Sequence, residues 1–255
     1  MEIKKLLDTL DDKQPLLVCD IDEVVLHFVA PFEAYLAHQG MHLLKTSFSL
    51  AGNIIDSATG TPLSSQTVSA LALRFHEHYV DQQPIIDDAK QVLHALSSHF
   101  QIVFLTNVAE ELTLRRIVHL NTLGLNFPLL QNVGSKAQIV AELAASTTSA
   151  TIFIDDLPMH HLKVKVTSPE VFCIHFMADC DFRKIAEITP SVAEKAENWQ
   201  EIKNLCLEKY KLGCFVFRHF ILAFIARLTL FSAGRPHSRK QRFYFQWRAI
   251  ILPRS

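Results

Sequence analysis

Leu16-Leu17-Val18-Cys19-Asp20-Ile21-Asp22-Glu23-Val24 is a short apolar run that ends abruptly in acid, and its reading decides the fold. A continuous apolar stretch of this length reads as a strand buried on both faces, of the kind found inside a parallel sheet. Side chains alternate along an extended chain, so Asp20 and Asp22 are expected to point the same way at the strand's carboxyl end. That end is where open α/β sheets bind their ligands. Two carboxylates so close raise one another's pKa and need a cation or a shared proton to coexist. Taken alone, an Asp-x-Asp pair is more often a solvated turn.

Three further runs share the character of the first: Gln101-Ile102-Val103-Phe104-Leu105, Thr151-Ile152-Phe153-Ile154 and Val171-Phe172-Cys173-Ile174-His175-Phe176. Between them, residues 88–98, 110–122, 135–145 and 157–166 carry helical spacing. This alternation predicts an α/β fold, a parallel sheet with helices on both faces. Residues 28–84 interrupt the rhythm with helical patterns at 28–39 and 67–80 around a turn-rich middle, Gly52-Asn53 and Thr59-Gly60-Thr61-Pro62. They read as a small, mostly helical insertion over the sheet's edge. The core is then expected in residues 1–27 and 85–210, with 211–255 as a tail.

The later strands also end in polar groups. Thr106 and Asn107 follow the second run and can bond a phosphate oxygen without charge, although an N-cap for the next helix is the commoner use of such residues. Lys136, in Gly134-Ser135-Lys136-Ala137, opens a helix, where a cation gains nothing from the helix dipole and can serve an anion; most single lysines are merely surface. Asp155-Asp156 close another wholly apolar run, and helix capping and metal binding explain them equally well. His76-Glu77-His78 makes a poor chelate on a helix, because residues two apart do not face one another. His160-His161 follows the acidic pair closely enough to brush the crevice, yet a surface or capping role is the commoner one. His27 and Phe28, just past the first acidic pair, are candidates for substrate contact.

Composition narrows the class. At 255 residues, with 49% hydrophobic and 20% charged content, the chain is long enough for one sizeable core. Residues 1–208 hold 15 Lys and Arg against 26 Asp and Glu, whereas 209–255 hold 10 Lys and Arg and no acid. An acidic body argues against nucleic acid as partner unless a metal or a local positive spot intervenes. Five cysteines without C-x-x-C spacing argue against a disulfide framework or structural zinc, and a reducing cytoplasm fits. The N-terminus lacks the long apolar run of a signal peptide. In the tail, Cys214 to Phe231 is apolar but broken by Arg218, His219 and Arg227, which disfavours a membrane span. An interfacial anchor with weak membrane contact and an out-of-frame or fused terminus are the two readings left open there.

The order Asp pair, Thr-Asn, Lys, Asp pair along an alternating α/β chain resembles the four signature motifs of the haloacid dehalogenase superfamily. The resemblance covers about residues 14–188, and Asp20-Ile21-Asp22-Glu23-Val24 and Asp155-Asp156 are its most specific parts. Response-regulator receiver domains use similar groups in a different order. The resemblance implies a Rossmann-like sheet with a helical cap inserted between the first and second motifs, at 28–84. It further implies Asp20 as the nucleophile attacking phosphorus and Asp22 as general acid and base. Magnesium would be held by the Asp20 carboxylate, the Asp22 backbone carbonyl, Asp155 and Asp156. Thr106, the Asn107 region and Lys136 would hold the phosphoryl oxygens.

The expected function is thus a magnesium-dependent phosphatase acting on a small phosphorylated metabolite. A catalytically silent binding protein on this fold, and a phosphotransferase, mutase or dehalogenase using the same nucleophile, are the alternatives. Dehalogenases resembling this fold lack an acid at the second position, so Asp22 favours phosphate over halide.

Overall fold

A computed structural model describes residues 2–211. The expectations for the tail beyond Lys211 lie outside the described residues. A short helix, α1 (Ile3–Leu7), precedes β1 (Leu16–Cys19). Then come α2 (Val29–His38), β2 (Met41–Leu43), β3 (Ile54–Asp56), α3 (Ser65–Tyr79) and α4 (Ala89–Leu96). The rest runs β4 (Gln101–Thr106), α5 (Thr113–Thr122), β5 (Leu129–Gln131), α6 (Ala137–Ala145), β6 (Thr151–Asp155), α7 (Pro158–Thr167), β7 (Phe172–His175), α8 (Cys180–Ile185) and β8 (Glu194–Lys195). Residues 199–211 form a last described helix, α9.

Six strands pair in parallel in the order β5-β4-β1-β6-β7-β8. This is the doubly wound, Rossmann-like arrangement: the chain steps outward from β1 through β4 to β5, returns to the other side of β1 at β6, and steps outward again. The reversal lies between β1 and β6. Cys19 is in register with Ile154 there, and the Asp20 N–H donates to the Ile154 carbonyl at 2.9 Å. Carboxyl ends at such a reversal leave a crevice, because the connections leave in opposite directions.

Alternation along the strands divides the interior into two apolar layers. Leu17, Cys19, Phe104, Ile152 and Ile154 pack with Val92 and Leu96 of α4 and with Trp199 and Ile202 of α9. Leu16, Val18, Val103, Leu105 and Phe153 pack on the other face with Leu6 of α1, Val140 and Leu143 of α6 and Val164 of α7. Fully buried Leu and Val side chains contribute roughly 1.5–3 kcal/mol each relative to exposure. The two layers hold the strand ends rigidly, which is what a site built on them needs.

Residues 28–84 hold α2, α3 and the antiparallel pair β2 and β3. The two helices fall where the periodicity places them. The turn-rich middle folds back on itself instead: Asn53, buried, donates its side-chain amide to the Ser47 and Ser49 carbonyls and accepts from the Thr46 hydroxyl. The segment has its own apolar cluster of Phe32, Leu36, Ile54, Val68, Leu71 and Phe75. The chain enters and leaves it by two antiparallel crossings side by side, with His27 N–H donating to Pro84 and Ile86 N–H to Val25, both at 2.9 Å.

Among the described residues no helix is long and apolar enough to cross a membrane, and Cys19, Cys173, Cys180 and Cys206 are free.

Candidate active site

β1 stops at Cys19, and the next residues turn tightly instead of extending: the N–H groups of Val24, Val25 and Leu26 all donate to the Ile21 carbonyl. Glu23 sits in this turn at φ +61°, a left-handed conformation that a glutamate adopts only when its surroundings hold it. They do so through the carboxylate. Its Oε1 accepts from the N–H groups of Phe28 and Val29 at 2.8 and 2.7 Å, and its Oε2 from Asp179 N–H at 2.8 Å. Glu23 thus supplies from a distance the cap that α2 lacks locally, and ties the start of α2 to the loop after β7. Desolvation pushes its pKa up, against the pull of these backbone donors. An acid in a tight turn carries no mark of such wiring in the sequence.

The turn gives the two acids of the first motif different partners, although both line one cavity. Asp20 is buried, and its Oδ1 lies 2.6 Å from the Lys136 ammonium. Asp22 Oδ1 instead accepts from Gln83 Nε2 at 2.8 Å and Arg116 Nη2 at 3.0 Å. Arg116 Nη2 donates also to Gln83 Oε1 at 2.7 Å, which makes a closed triangle. His76 Nε2 lies 3.8 Å from Asp22 Oδ2.

Lys136, at the entry to α6, is fully buried and bridges two strand ends, with Asp155 Oδ2 at 2.8 Å as its second carboxylate partner. Asp155, the last residue of β6, is otherwise consumed by structure. Its Oδ1 accepts from Leu157 N–H at 2.9 Å at the entry to α7, and His160 Nδ1 lies 3.0 Å from it. One oxygen each from Asp20, Asp155 and Asp156 falls within a 4.8 Å cluster.

The electrostatics follow from this wiring. Desolvation raises Asp20 to about 6, with Lys136 opposing and Asp155 adding to the rise. Desolvation also works against charge on Asp155 and Asp22, but Lys136 and His160 hold the first, and Arg116 and His76 the second, well below the usual carboxylate range. Lys136 is desolvated too, yet Asp155 and Asp20 keep it above the ordinary lysine value. Asp156 forms no ion pair among the described residues; desolvation, then Asp155 and Asp20, push it well above the carboxylate range against the pull of Lys136. Three hard oxygen donors with one carboxyl left uncompensated suit an oxygen-preferring divalent ion such as magnesium.

A cavity of about 290 Å³ opens on this cluster. Asp20, Asp22, Lys136, Asn107, Asp156 and Phe28 line it, as do His76 and His160. The Asn107 amide also joins two loops, donating to the Gly134 carbonyl at 2.9 Å and accepting from Asn132 at 2.8 Å. Thr106 is buried at the end of β4, its hydroxyl accepting from Val108 N–H at 3.3 Å. His27 is not among the lining residues; its carbonyl accepts from Gln83 at 3.0 Å in the crossing to the insertion. His161 is turned inward, its Nε2 3.0 Å from the Asp155 carbonyl. Arg116 and Gln83 carry no local sequence signal and His76 read only as part of a poor chelate, because the importance of all three comes from Asp22, a partner 54 or more residues away.

No protein-family model matches the sequence, and no curated protein does. Solved structures match over most of the chain. A haloacid dehalogenase-like protein of unknown function from Agrobacterium tumefaciens is 15% identical, with a TM-score of 0.55 over 76% of this chain and 97% of that one. The chain has the haloacid dehalogenase-like fold. A protein from Burkholderia xenovorans named as a haloacid dehalogenase-like hydrolase (10% identity, TM-score 0.51, 77% and 98% covered) and a candidate phosphoglycolate phosphatase from Lactobacillus plantarum (12%, 0.51, 76% and 99%) share it. At these identities the likeness speaks for the haloacid dehalogenase-like architecture, and the chemistry must be argued from the side chains.

Proposed function

We propose that this chain is a magnesium-dependent phosphohydrolase that acts on a small phosphate monoester through a phosphorylated Asp20. The observation that carries the reading is the convergence of Asp20, Asp155 and Asp156 within 4.8 Å around the buried Lys136 ammonium, at the strand reversal and beneath a cavity.

The Asp20, Asp155 and Asp156 carboxylates and the Asp22 backbone carbonyl would hold magnesium. Bound there, it would neutralise clustered negative charge and polarise a phosphoryl oxygen. Asp20 attacks phosphorus with a carboxylate oxygen; the new O–P bond forms as the ester O–P bond breaks, and the leaving alcohol takes a proton. Water then attacks the same phosphorus, the Asp20–phosphorus bond breaks, and inorganic phosphate leaves. Lys136 pairs with Asp20 at rest and stays beside the phosphoryl oxygens as charge spreads over them. Asp22 serves as proton donor and then acceptor, which requires its carboxyl to leave the Arg116 and Gln83 triangle and rotate into the cavity it lines. Residues 28–84 act as a cap, since Phe28 and His76 of that segment reach the same cavity.

The full chain in magnesium should hydrolyse a generic ester such as p-nitrophenyl phosphate. Asp20→Asn should lower kcat by about 1,000-fold or more while leaving the thermal unfolding transition in place. A folded wild-type protein without turnover on a broad ester panel would overturn the reading.

A further inference from the structure

The cavity above the acidic cluster has a wall whose chemistry differs from its floor. Phe28, Val29, Phe48, Leu50, Met177 and Phe182 line it beside the acids. This apolar wall is continuous: Val29, Met177 and Phe182 form one buried cluster on which Phe28 and Phe48 pack. The Phe48 and Phe182 rings meet nearly edge-on, 5.7 Å apart at 62°. Phe28 stacks on His76 at 5.5 Å. The wall is assembled from the insertion and from the segment after β7, so it is a built feature of the fold and not a local run of sequence.

The Lys and Arg side chains around it are committed. Lys136 is the one Lys or Arg among the described lining residues, and it already spans Asp20 and Asp155. Lys45 spans Glu33 and Asp179, and Arg116 serves Asp22, and neither lines the cavity. His76 and His160 face Asp22 and Asp155. Asp20, Asp22, Glu23 and Asp156 make the remaining lining electronegative. A second anionic group on a substrate would meet rings and carboxylates with no Lys or Arg to spare among the described residues, which is a costly burial. An uncharged ring would meet edges and faces of other rings.

Size points the same way. A dry cavity of about 150 Å³ holds a benzene ring, and 290 Å³ adds space for a phosphoryl group.

Resting on the phosphohydrolase reading, we infer that the substrate is an orthophosphate monoester of a small, uncharged, apolar alcohol, best a single aromatic ring on a short stem, and not a carboxylated phosphate ester. The ring lies against Phe28, Phe48 and Phe182 while the phosphoryl group meets Lys136 and the acidic cluster.

The test compares benzyl phosphate with its para-carboxylate analogue, whose leaving alcohol is nearly the same, and with 2-phosphoglycolate, all with the full chain in magnesium. The expected kcat/KM for benzyl phosphate is about 100-fold above 2-phosphoglycolate, the size of one buried ring plus one avoided charge, and about tenfold above the para-carboxylate analogue, which keeps the ring and adds only the charge. Phe48→Arg, a change at a half-buried loop residue, should shift the preference toward the para-carboxylate analogue by about tenfold. Equal or better turnover of the carboxylated esters overturns the substrate class and leaves the hydrolase intact. If no ester turns over, including p-nitrophenyl phosphate, the hydrolase reading falls. Calorimetric titration of benzylphosphonate against phosphonoacetate in magnesium then judges the cavity by itself: tighter benzylphosphonate binding sustains the inference, and equal or reversed affinity ends it.

Discussion

The two acidic pairs at the carboxyl end of the sheet, Asp20/Asp22 after β1 and Asp155/Asp156 at β6, solve the same electrostatic problem in different ways. At β6 the acids are adjacent and an oxygen of each reaches the same cluster: Asp155 is bound by Lys136, by a backbone N–H and by His160, while Asp156 forms no ion pair among the described residues. After β1 a residue and a tight turn separate the acids, and each finds a cation from a different helix region, Lys136 for Asp20 and Arg116 for Asp22. The difference teaches that the allocation of two buried cations among four carboxylates decides which acids are spent on structure and which remain for a ligand.

Removing the shared cation should break the comparison most completely. Lys136→Met leaves Asp20 and Asp155 buried with their charge uncompensated, and breaking a buried pair in this way costs about 3–5 kcal/mol. Urea unfolding checks it, and a loss under about 1 kcal/mol would mean that the bridge carries little.

Asp156→Asn sharpens the contrast between the spent and the available acid. Its ionised form is disfavoured in the folded state, so the substitution should raise the melting temperature in EDTA and weaken magnesium at least about tenfold. Differential scanning calorimetry with and without magnesium reads both, and a lower melting temperature in EDTA contradicts the assignment.

Arg116→Met tests the other pair. Without the guanidinium, the Asp22 pKa should climb back toward the carboxylate range, so the acid limb of the kcat profile should move to higher pH. Arg116→Lys should move it less, and an unmoved limb in Arg116→Met would uncouple Arg116 from the proton transfer.

The smallest effect concerns His175, which packs behind the β6 pair and donates Nε2–H to the Asp156 carbonyl at 2.8 Å. Desolvation, then His161, lowers its pKa from 6.5 to about 4. The unfolded chain therefore binds this proton more readily, and the neutral histidine's contribution is full above about pH 6.5 and is lost as pH falls toward 4. Melting temperatures of wild type and His175→Gln should converge across that window. Parallel curves would assign the acid sensitivity elsewhere.

Much of the fold was legible in the sequence because a buried parallel strand writes itself as an uninterrupted apolar run: β1, β4, β6 and β7 each announce themselves so. β5 and β8 do not, since Leu129–Gln131 and Glu194–Lys195 are edge or near-edge strands of three and two residues, too short for any period to show. The pair β2 and β3 is equally short and is held in part by the Asn53 side chain, a contact with no periodic signature. The same logic divides the site. Asp20, Asp155, Asp156 and Lys136 stand directly at the ends of strands or the start of a helix, so order along the chain foretells their meeting. Arg116, Gln83, His76 and Glu23 occupy unremarkable positions in helix, loop and turn.

Sequence alone determined the alternation of apolar runs and helices and the acids at the strand ends, because burial and backbone period act over a few residues and leave a local record. Only the tertiary structure decided which cation each acid would have and that an aromatic wall would stand over them. Those outcomes depend on Coulomb and packing interactions between groups far apart in the chain, and such interactions exist only once the sheet has brought them together.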